Sequence, residues 1–443
     1  MSLTQNIMTT LSARVATLGL MFISSIVLAR SLGPEGRGLF TLVLLLPELA
    51  RSFGLLGFEQ ANAVYAGLEP GKRRALVWQS AVVAALAGGA IAGISAYFLA
   101  RAEFGLGRWV HGPLWLYLLP LSLVPVQLLT EYWGAVLRGM NRIFMLNVVE
   151  VGTKIAALIL VVMFVGWLRL DVAGAVWAHT VVQVGAAGLL VVLLARVGIW
   201  GWPVFDKSLW KRTGRFAFPA YLASVTSYLN YRIDQFFIAA LLPPEQLGFY
   251  VIAVGLAEQL WVPTGSVANA LLPHLTNSRE RAPALAAVIA RHMLIWTGIA
   301  CLCLFALAGV IVKTLYSAAF GPAVAPLRWL LPGIFTLTIG KVLVAELIAR
   351  EKIHYTLLMG VTVALVNVIG NLVLIPLYGI SGAAFASSVS YTVLSFMVIW
   401  FYVKETGTPW TALLPRRSDV LVYVALWHRA FIARNGVLSR VEP

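Results

Sequence analysis

Apolar residues in this chain come in long runs, and the polar residues between them come in short ones. A helix needs about 20 predominantly apolar residues to cross the hydrocarbon core of a bilayer. Twelve stretches approach or exceed that length, roughly 11–32, 38–66, 75–100, 113–137, 144–168, 172–195, 214–241, 246–275, 284–312, 324–349, 354–376 and 380–403. They are called spans 1 to 12 below. The connections are short, and none could hold a separately folded domain. The longest polar interval, RVGIWGWPVFDKSLWKRTGR at 196–215, falls near the middle. The first run, Leu11 to Leu32, is long enough to span and has no convincing cleavage site, so it reads as a retained helix. The pattern predicts an all-α integral membrane protein of about 12 transmembrane helices.

The chain also repeats itself. LARSLGPEGRGLF (28–40) is echoed by IAALLPPEQLGFY (238–250), aligning Ala29 with Ala239, Leu32 with Leu242, Pro34 with Pro244, Glu35 with Glu245 and Gly38 with Gly248. LDVAGAVWA (170–178) is echoed by YGISGAAFA (378–386), aligning Gly174 with Gly382. The first pair lies between spans 1/2 and 7/8, the second between spans 5/6 and 11/12. The two offsets agree within two residues, so the chain reads as two six-helix halves. Six is even, so the halves share one orientation and are related by a pseudo-twofold along the membrane normal. The expected organisation is an N-terminal half at 1–200, a cytoplasmic linker at 201–213, a C-terminal half at 214–405 and a cytoplasmic tail at 406–443.

Composition sharpens this. The 443 residues are 60% hydrophobic and 12% charged, with a mean hydropathy of +0.86. Soluble domains carry roughly 25% charged residues, so lipid is the natural solvent for most of this chain. A net charge of +15 would suggest nucleic acid in a soluble protein. Here the basic residues sit between apolar runs and no nucleic-acid motif accompanies them, so nucleic acid is not an expected partner. They set topology instead. With the N-terminus inside, the inner connections and tail hold 21 Lys and Arg and the outer connections 7. Both termini are therefore expected in the cytoplasm. DVLVYVALWHRAFIARNG in the tail is too short and too basic to span, and reads as an amphipathic helix on the inner face or a solvated tail. Cys301 and Cys303 point apart on a helix and read as apolar filler. His179 and His274 lack metal-ligand spacing, and no metal site is expected.

Three stretches carry a family resemblance. LARSLGPEGRGLFTLV (28–43), VLRGMNRIFMLNVVEVGTKI (136–155) and LVNVIGNLVLIPLYGISGAAFASSVSY (365–391) resemble the polysaccharide flippase branch of the multidrug/oligosaccharidyl-lipid/polysaccharide exporters. The likeness runs over roughly 10–405. It implies two six-helix halves around a central cavity, and alternating access without enzymatic chemistry or a cofactor. The implied cargo is an undecaprenyl-pyrophosphate-linked oligosaccharide, moved across the bacterial inner membrane for O-antigen, capsule or exopolysaccharide. Membrane lipids surround such a protein, and a polysaccharide polymerase and glycosyltransferases are its implied partners. The coupling ion, H+ or Na+, stays open. Two rival readings are a cation-coupled drug or metabolite antiporter of the same superfamily and an integral-membrane glycan polymerase or ligase. The short outer connections speak against the second.

Charges inside a span are costly and mark function by default. At 1.5 Å per residue, Glu48 and Glu258 each lie about 15 Å below Gly38 and Gly248, at equivalent places in the two halves. Arg232 lies about 15 Å from Leu242, and Arg14 about 27 Å from Leu32, near the inner mouth. Arg51 is one turn below Glu48. Arginine stays charged and forms bidentate hydrogen bonds to phosphate, so Arg14, Arg51 and Arg232 are the candidate substrate-binding residues. Glu48, Asp234 and Glu258 are the candidates for holding those arginines, binding a coupling cation or contacting sugar hydroxyls. Glu48–Arg51 and Glu150–Lys154 have the spacing of intrahelical ion pairs. Gly89 and Gly93 form a GxxxG that suggests tight packing of span 3. The Lys/Arg asymmetry yields a direct test: cysteines at positions 35 and 245 should react with an impermeant maleimide from outside, and cysteines at 73 and 211 should not. Outside labelling of position 211 would refute the two-halves topology.

Overall fold

Hydrocarbon offers the backbone no hydrogen bonds, so a chain of this composition can cross a bilayer only as helices that satisfy themselves or as a closed barrel. In the computed structural model it is helical. The structure describes residues 3–101, 110–277, 282–350, 352–416 and 418–419, and the segment expected to form an amphipathic helix in the tail lies almost wholly outside them. The helices are α1 (Leu3–Gly54), α2 (Phe58–Leu68), α3 (Arg73–Val83), α4 (Gly89–Ala100), α5 (Trp115–Ser122), α6 (Val124–Gly139), α7 (Ile143–Val161), α8 (Asp171–Arg196), α9 (Lys207–Leu241), α10 (Pro244–Glu258), α11 (Trp261–Asn277), α12 (Ala282–Leu315), α13 (Val324–Ala349) and α14 (Ile353–Thr406). Among the described residues there are no strands.

These helices map onto the twelve expected spans. Among the described residues, seven stretches are long and apolar enough to cross a membrane, or eight when α10 and α11, bent by 46°, count as one span. Two of the seven carry two spans each. In α1 the corner is Gly33, with φ 68° and ψ −178°, and Pro34 opens the second arm. Proline lacks an N–H and fits a helix's first turn, and the left-handed φ favours glycine. In α14 the corner is Gly379, with φ 57° and ψ −139°. The polar α9 and the α5–α6 pair supply the remaining two.

Burial is inverted relative to a water-soluble protein. Leu302, Phe396 and Trp400 are 72%, 68% and 71% exposed, whereas Asn62, Ser80, Asn367, Asn371 and Ser387 are fully buried. Exposed apolar surface on this scale needs a cover, and lipid provides it. The protein is a multi-pass membrane protein.

By packing, the chain forms two compact units. One comprises 1–252, 309–324 and 371–383, and the other 253–308, 325–370 and 384–443. In the first, α1 packs along α7 and α8, and α2 lies against α6 and α9. Its core includes Leu76, Val77, Trp133, Leu137 and Leu194. In the second, Leu343, Leu347, Val398 and Tyr402 sit at the centre of a core. Within the first unit the sequence echoes have physical counterparts. A Cβ on Gly174 would stand 3.0 Å from the Phe164 carbonyl oxygen, and one on Gly382 would stand 2.1 Å from that of Leu374. Each glycine lets its helix press on the end of the helix before it. The tight-packing role expected of Gly89 and Gly93 is corrected: both face open space, and Gly88 makes the contact, against Pro125 and Leu128. The cause is a π-helical turn at Ala84–Gly88, which adds a residue and rotates the face that a regular helix would present.

On the side assigned to the cytoplasm, an ion cluster ties the α2–α3 connection to the start of α9. Arg212 donates to both carboxylate oxygens of Glu69, at 2.7 and 3.0 Å. Lys72 lies 2.8 Å from Asp206 and 3.6 Å from Glu69. Asp206 caps α9 by accepting from the Ser208 and Leu209 amides. Hydrogen bonds from Arg212 hold the Glu69 carboxyl below its usual range, and Lys72 does the same for Asp206. Both folded-state values lie below the unfolded ones, so this contribution to stability is present above about pH 4 and disappears as pH falls through the folded values. Hydrogen exchange in 204–212 should therefore quicken as pH drops below about 4, after correction for the intrinsic rate. Glu69→Gln should give the same quickening at neutral pH, and an unchanged rate in that variant would remove the cluster's role.

Candidate functional site

The charged side chains of the first unit gather where α1 ends. At that point the chain passes through Leu56 and Gly57, both with positive φ (44° and 72°), before α2 begins. The break leaves carbonyls at the C-terminus of α1 without helical donors. The fully buried Tyr132 of α6 directs its hydroxyl at two of them, Gly54 at 2.8 Å and Leu55 at 3.0 Å. That anchor fixes the last turn of α1, which carries Arg51. Arg51 donates to Glu131 of α6 at 3.2 Å, with both side chains about a third exposed. Glu59 on α2 lies within Coulombic reach of Glu131, Arg138 and Arg51.

The expected Glu48–Arg51 pair is thereby corrected. The two do not come within ion-pair distance; Arg51 turns to α6, and Glu48 stays exposed one residue beyond Pro47. The Glu150–Lys154 pair also does not form among the described residues: Glu150 is exposed, and Lys154 lies within Coulombic reach of His179 on α8. His179 itself approaches Gln127 at 3.4 Å, bridging α8 to α6.

A residue not singled out in the sequence joins several that were. Tyr228 on α9 lies within Coulombic reach of Glu48, Arg232 and Arg51, three of the six candidate residues. Its hydroxyl is buried and meets no hydrogen-bond partner among the described residues. Arg232, half-buried, is one helical turn further along α9. One signal could have found Tyr228: it stands at i−4 to Arg232 inside an expected span, where a tyrosine needs a partner for its hydroxyl. Beside this cluster, Leu46, Leu49, Ala50 and Phe53 of α1 line an open cavity of about 310 Å³, together with Ile91, Ser95 and Tyr221.

The other candidates lie elsewhere. Asp234 is 3% exposed and accepts a hydrogen bond from the Tyr250 hydroxyl, linking α9 to α10. Glu258 ends α10 at the bend before α11 and is half-buried in the second unit. Arg14 is exposed on the first arm of α1. In the second unit the buried Glu346 pairs with Arg350 at 2.7 Å, and Lys341 sits 4.7 Å above the Trp261 ring.

The structure is similar to that of the lipid II flippase MurJ in an inward closed conformation. The TM-score is 0.75 at 16% identity, over 93% of this chain and 89% of that one. It is also similar to an inward-facing multidrug resistance MATE family transporter of the MOP superfamily, with TM-score 0.68 and 16% identity over 88% and 94% of the two chains. A MATE transporter from Vibrio cholerae matches at TM-score 0.61 and 13% identity, over 92% and 96%. At these identities the likeness establishes the fold: all-α, with two parallel-related halves. A comparison with curated proteins finds no match. A sequence model of the family described as "Polysaccharide biosynthesis protein" matches residues 3–278, more than half of the chain. The chain, with its doubled six-helix pattern and charged α1–α6–α9 cluster, belongs to that polysaccharide biosynthesis protein family.

Proposed function

We propose that this protein flips undecaprenyl-pyrophosphate-linked oligosaccharide repeat units across the bacterial inner membrane by alternating access. The observation that carries the reading is that Arg51 and Arg232 both lie within Coulombic reach of the buried Tyr228 hydroxyl, which meets no hydrogen-bond partner among the described residues, in a chain of a polysaccharide biosynthesis family. A pyrophosphate at mid-membrane needs charge-assisted donors, because unpaired it costs several kcal/mol. Two guanidiniums and a phenol supply them. Glu131 gives Arg51 a carboxylate neighbour in this conformation, so the incoming anion exchanges with a carboxylate instead of meeting a bare cation. That exchange keeps binding reversible, which transport requires. Arg14, exposed on the first arm of α1, is the first cation to meet a substrate from the cytoplasm. Released from its arginine, such a carboxylate becomes available to H+ or Na+. Glu48 and Glu258, at equivalent depth in the two halves, are the coupling residues of this reading, and Asp234 with Tyr250 positions α9. The glycosyltransferases that build the repeat unit act before the flip and the polymerase after it.

Deletion should stop surface polysaccharide while lipid-linked repeat units accumulate in the inner leaflet. Normal arrival of those units at the outer leaflet without the protein would refute the proposal. For the site, Arg51→Ala and Arg232→Ala should each lower flipping per membrane-inserted molecule by at least about tenfold, the loss of one charge-assisted hydrogen bond of ~1.5–3 kcal/mol. Lysine at either position should keep part of the activity, since it retains charge but loses the planar fork. Flipping normalised to membrane protein level decides. Full activity per molecule in both alanine variants would remove these arginines from the mechanism.

A further inference from the structure

The echoed motif is more than a trace of duplication: its two copies touch. A Cβ built on Gly38 would lie 1.7 Å from the carbonyl oxygen of Pro244 and 2.9 Å from the amide nitrogen of Gly248. A Cβ built on Gly248 would lie 2.1 Å from the carbonyl oxygen of Pro34 and 3.0 Å from the amide nitrogen of Gly38. The contact is reciprocal. The first turn of the second arm of α1 lies against the first turn of α10, each glycine accepting the other copy's proline carbonyl. Real Cβ atoms essentially never come under 3.0 Å, so even alanine at either position must separate the two backbones.

More of the same side of the membrane gathers in this unit. Arg30 donates to the carbonyl of Leu315 at 2.7 Å and to that of Thr314, capping the end of α12. The Phe22 and Tyr316 rings meet edge-on at 6.5 Å, and Phe249 and Phe320 do so at 6.1 Å. Residues 309–324 and 371–383 belong to the C-terminal half by sequence but pack with 1–252. Apart from Phe22 and Arg30, which lie on the first arm of α1, these segments are at turns that the Lys/Arg asymmetry assigns to the outside.

We infer that the Pro34–Gly38 and Pro244–Gly248 turns form an outer latch, closed in this conformation, whose opening exposes the interior to the outside. The contact suits a latch. It is small, backbone on backbone, without long side chains to disentangle, and close approach at glycine is a low-cost way to pack helices in lipid. A substitution there penalises the closed state and leaves the open state untouched, so it shifts the population outward.

The test uses a chain with Cys301→Ala and Cys303→Ser, carrying Leu45→Cys as reporter. Leu45 is 1% exposed and lies two turns below Gly38 on the same helix face. An impermeant maleimide applied from outside should label it poorly in the parent. Labelling should rise about tenfold in Gly38→Ala and in Gly248→Ala. Gly19→Ala, whose added methyl meets nothing within 4 Å, should leave it unchanged. Unchanged labelling in both latch variants, or an equal rise in Gly19→Ala, overturns the proposal. A second measurement needs no glycine variant. Spin labels at Glu35→Cys and Glu245→Cys in the Cys301→Ala, Cys303→Ser chain, with Leu45 kept, should give two distance populations, closed and open. A single population overturns the proposal, because a latch must open.

Discussion

Every departure from helix in this protein has to be made good by the protein itself, because lipid will not hydrogen-bond a freed carbonyl. Proximity to water relaxes the rule at the inner and outer turns, yet side chains act even there. Tyr132 serves the end of α1 at Gly54 and Leu55. Arg30 serves the end of α12 at Thr314 and Leu315. Asp206 serves the start of α9. Arg291 combines the two roles: it donates to the Ala412 carbonyl and pairs with Asp419 at 2.7 Å, both partners almost fully buried. Several of the polar groups that look out of place in an apolar chain are therefore terminators of its helices.

The same constraint builds the site. The corner after Gly54 frees carbonyls, Tyr132 comes in to meet them, and in doing so it brings its neighbour Glu131 to Arg51. A regular α1 would need neither. The charged cluster and the fault in the helix are thus one feature. Its polar contacts reach from α1 across to α6, so a shift of α1 cannot leave the ion pair intact. A charge whose partner sits on another element reports the position of that element, which an intrahelical pair such as Glu346–Arg350 cannot do.

The helices and their doubling were legible because both rest on local quantities: the length of an apolar run and the recurrence of a turn motif. Gly33 and Pro34 name a corner wherever they fall. Partner choice was not legible. Glu48 and Arg51 have the right spacing, yet Arg51 reaches a residue 80 positions away, and nothing in the local pattern ranks a neighbour on the same helix below one on another. Gly89 and Gly93 failed for a different reason. The face argument assumes 3.6 residues per turn, and one π-turn just before them carries the contact to Gly88. Tyr228 escaped notice because an aromatic inside a span reads as packing until its hydroxyl is shown to be buried.

A contact in which Gly38 takes Pro244 and Gly248 takes Pro34 has the form of an isologous interface, where the same patch serves on both sides of a twofold axis. It needs nothing that two identical six-helix chains would lack. At this one point divergence is checked, since any side chain gained by either glycine is felt by the backbone of the other copy.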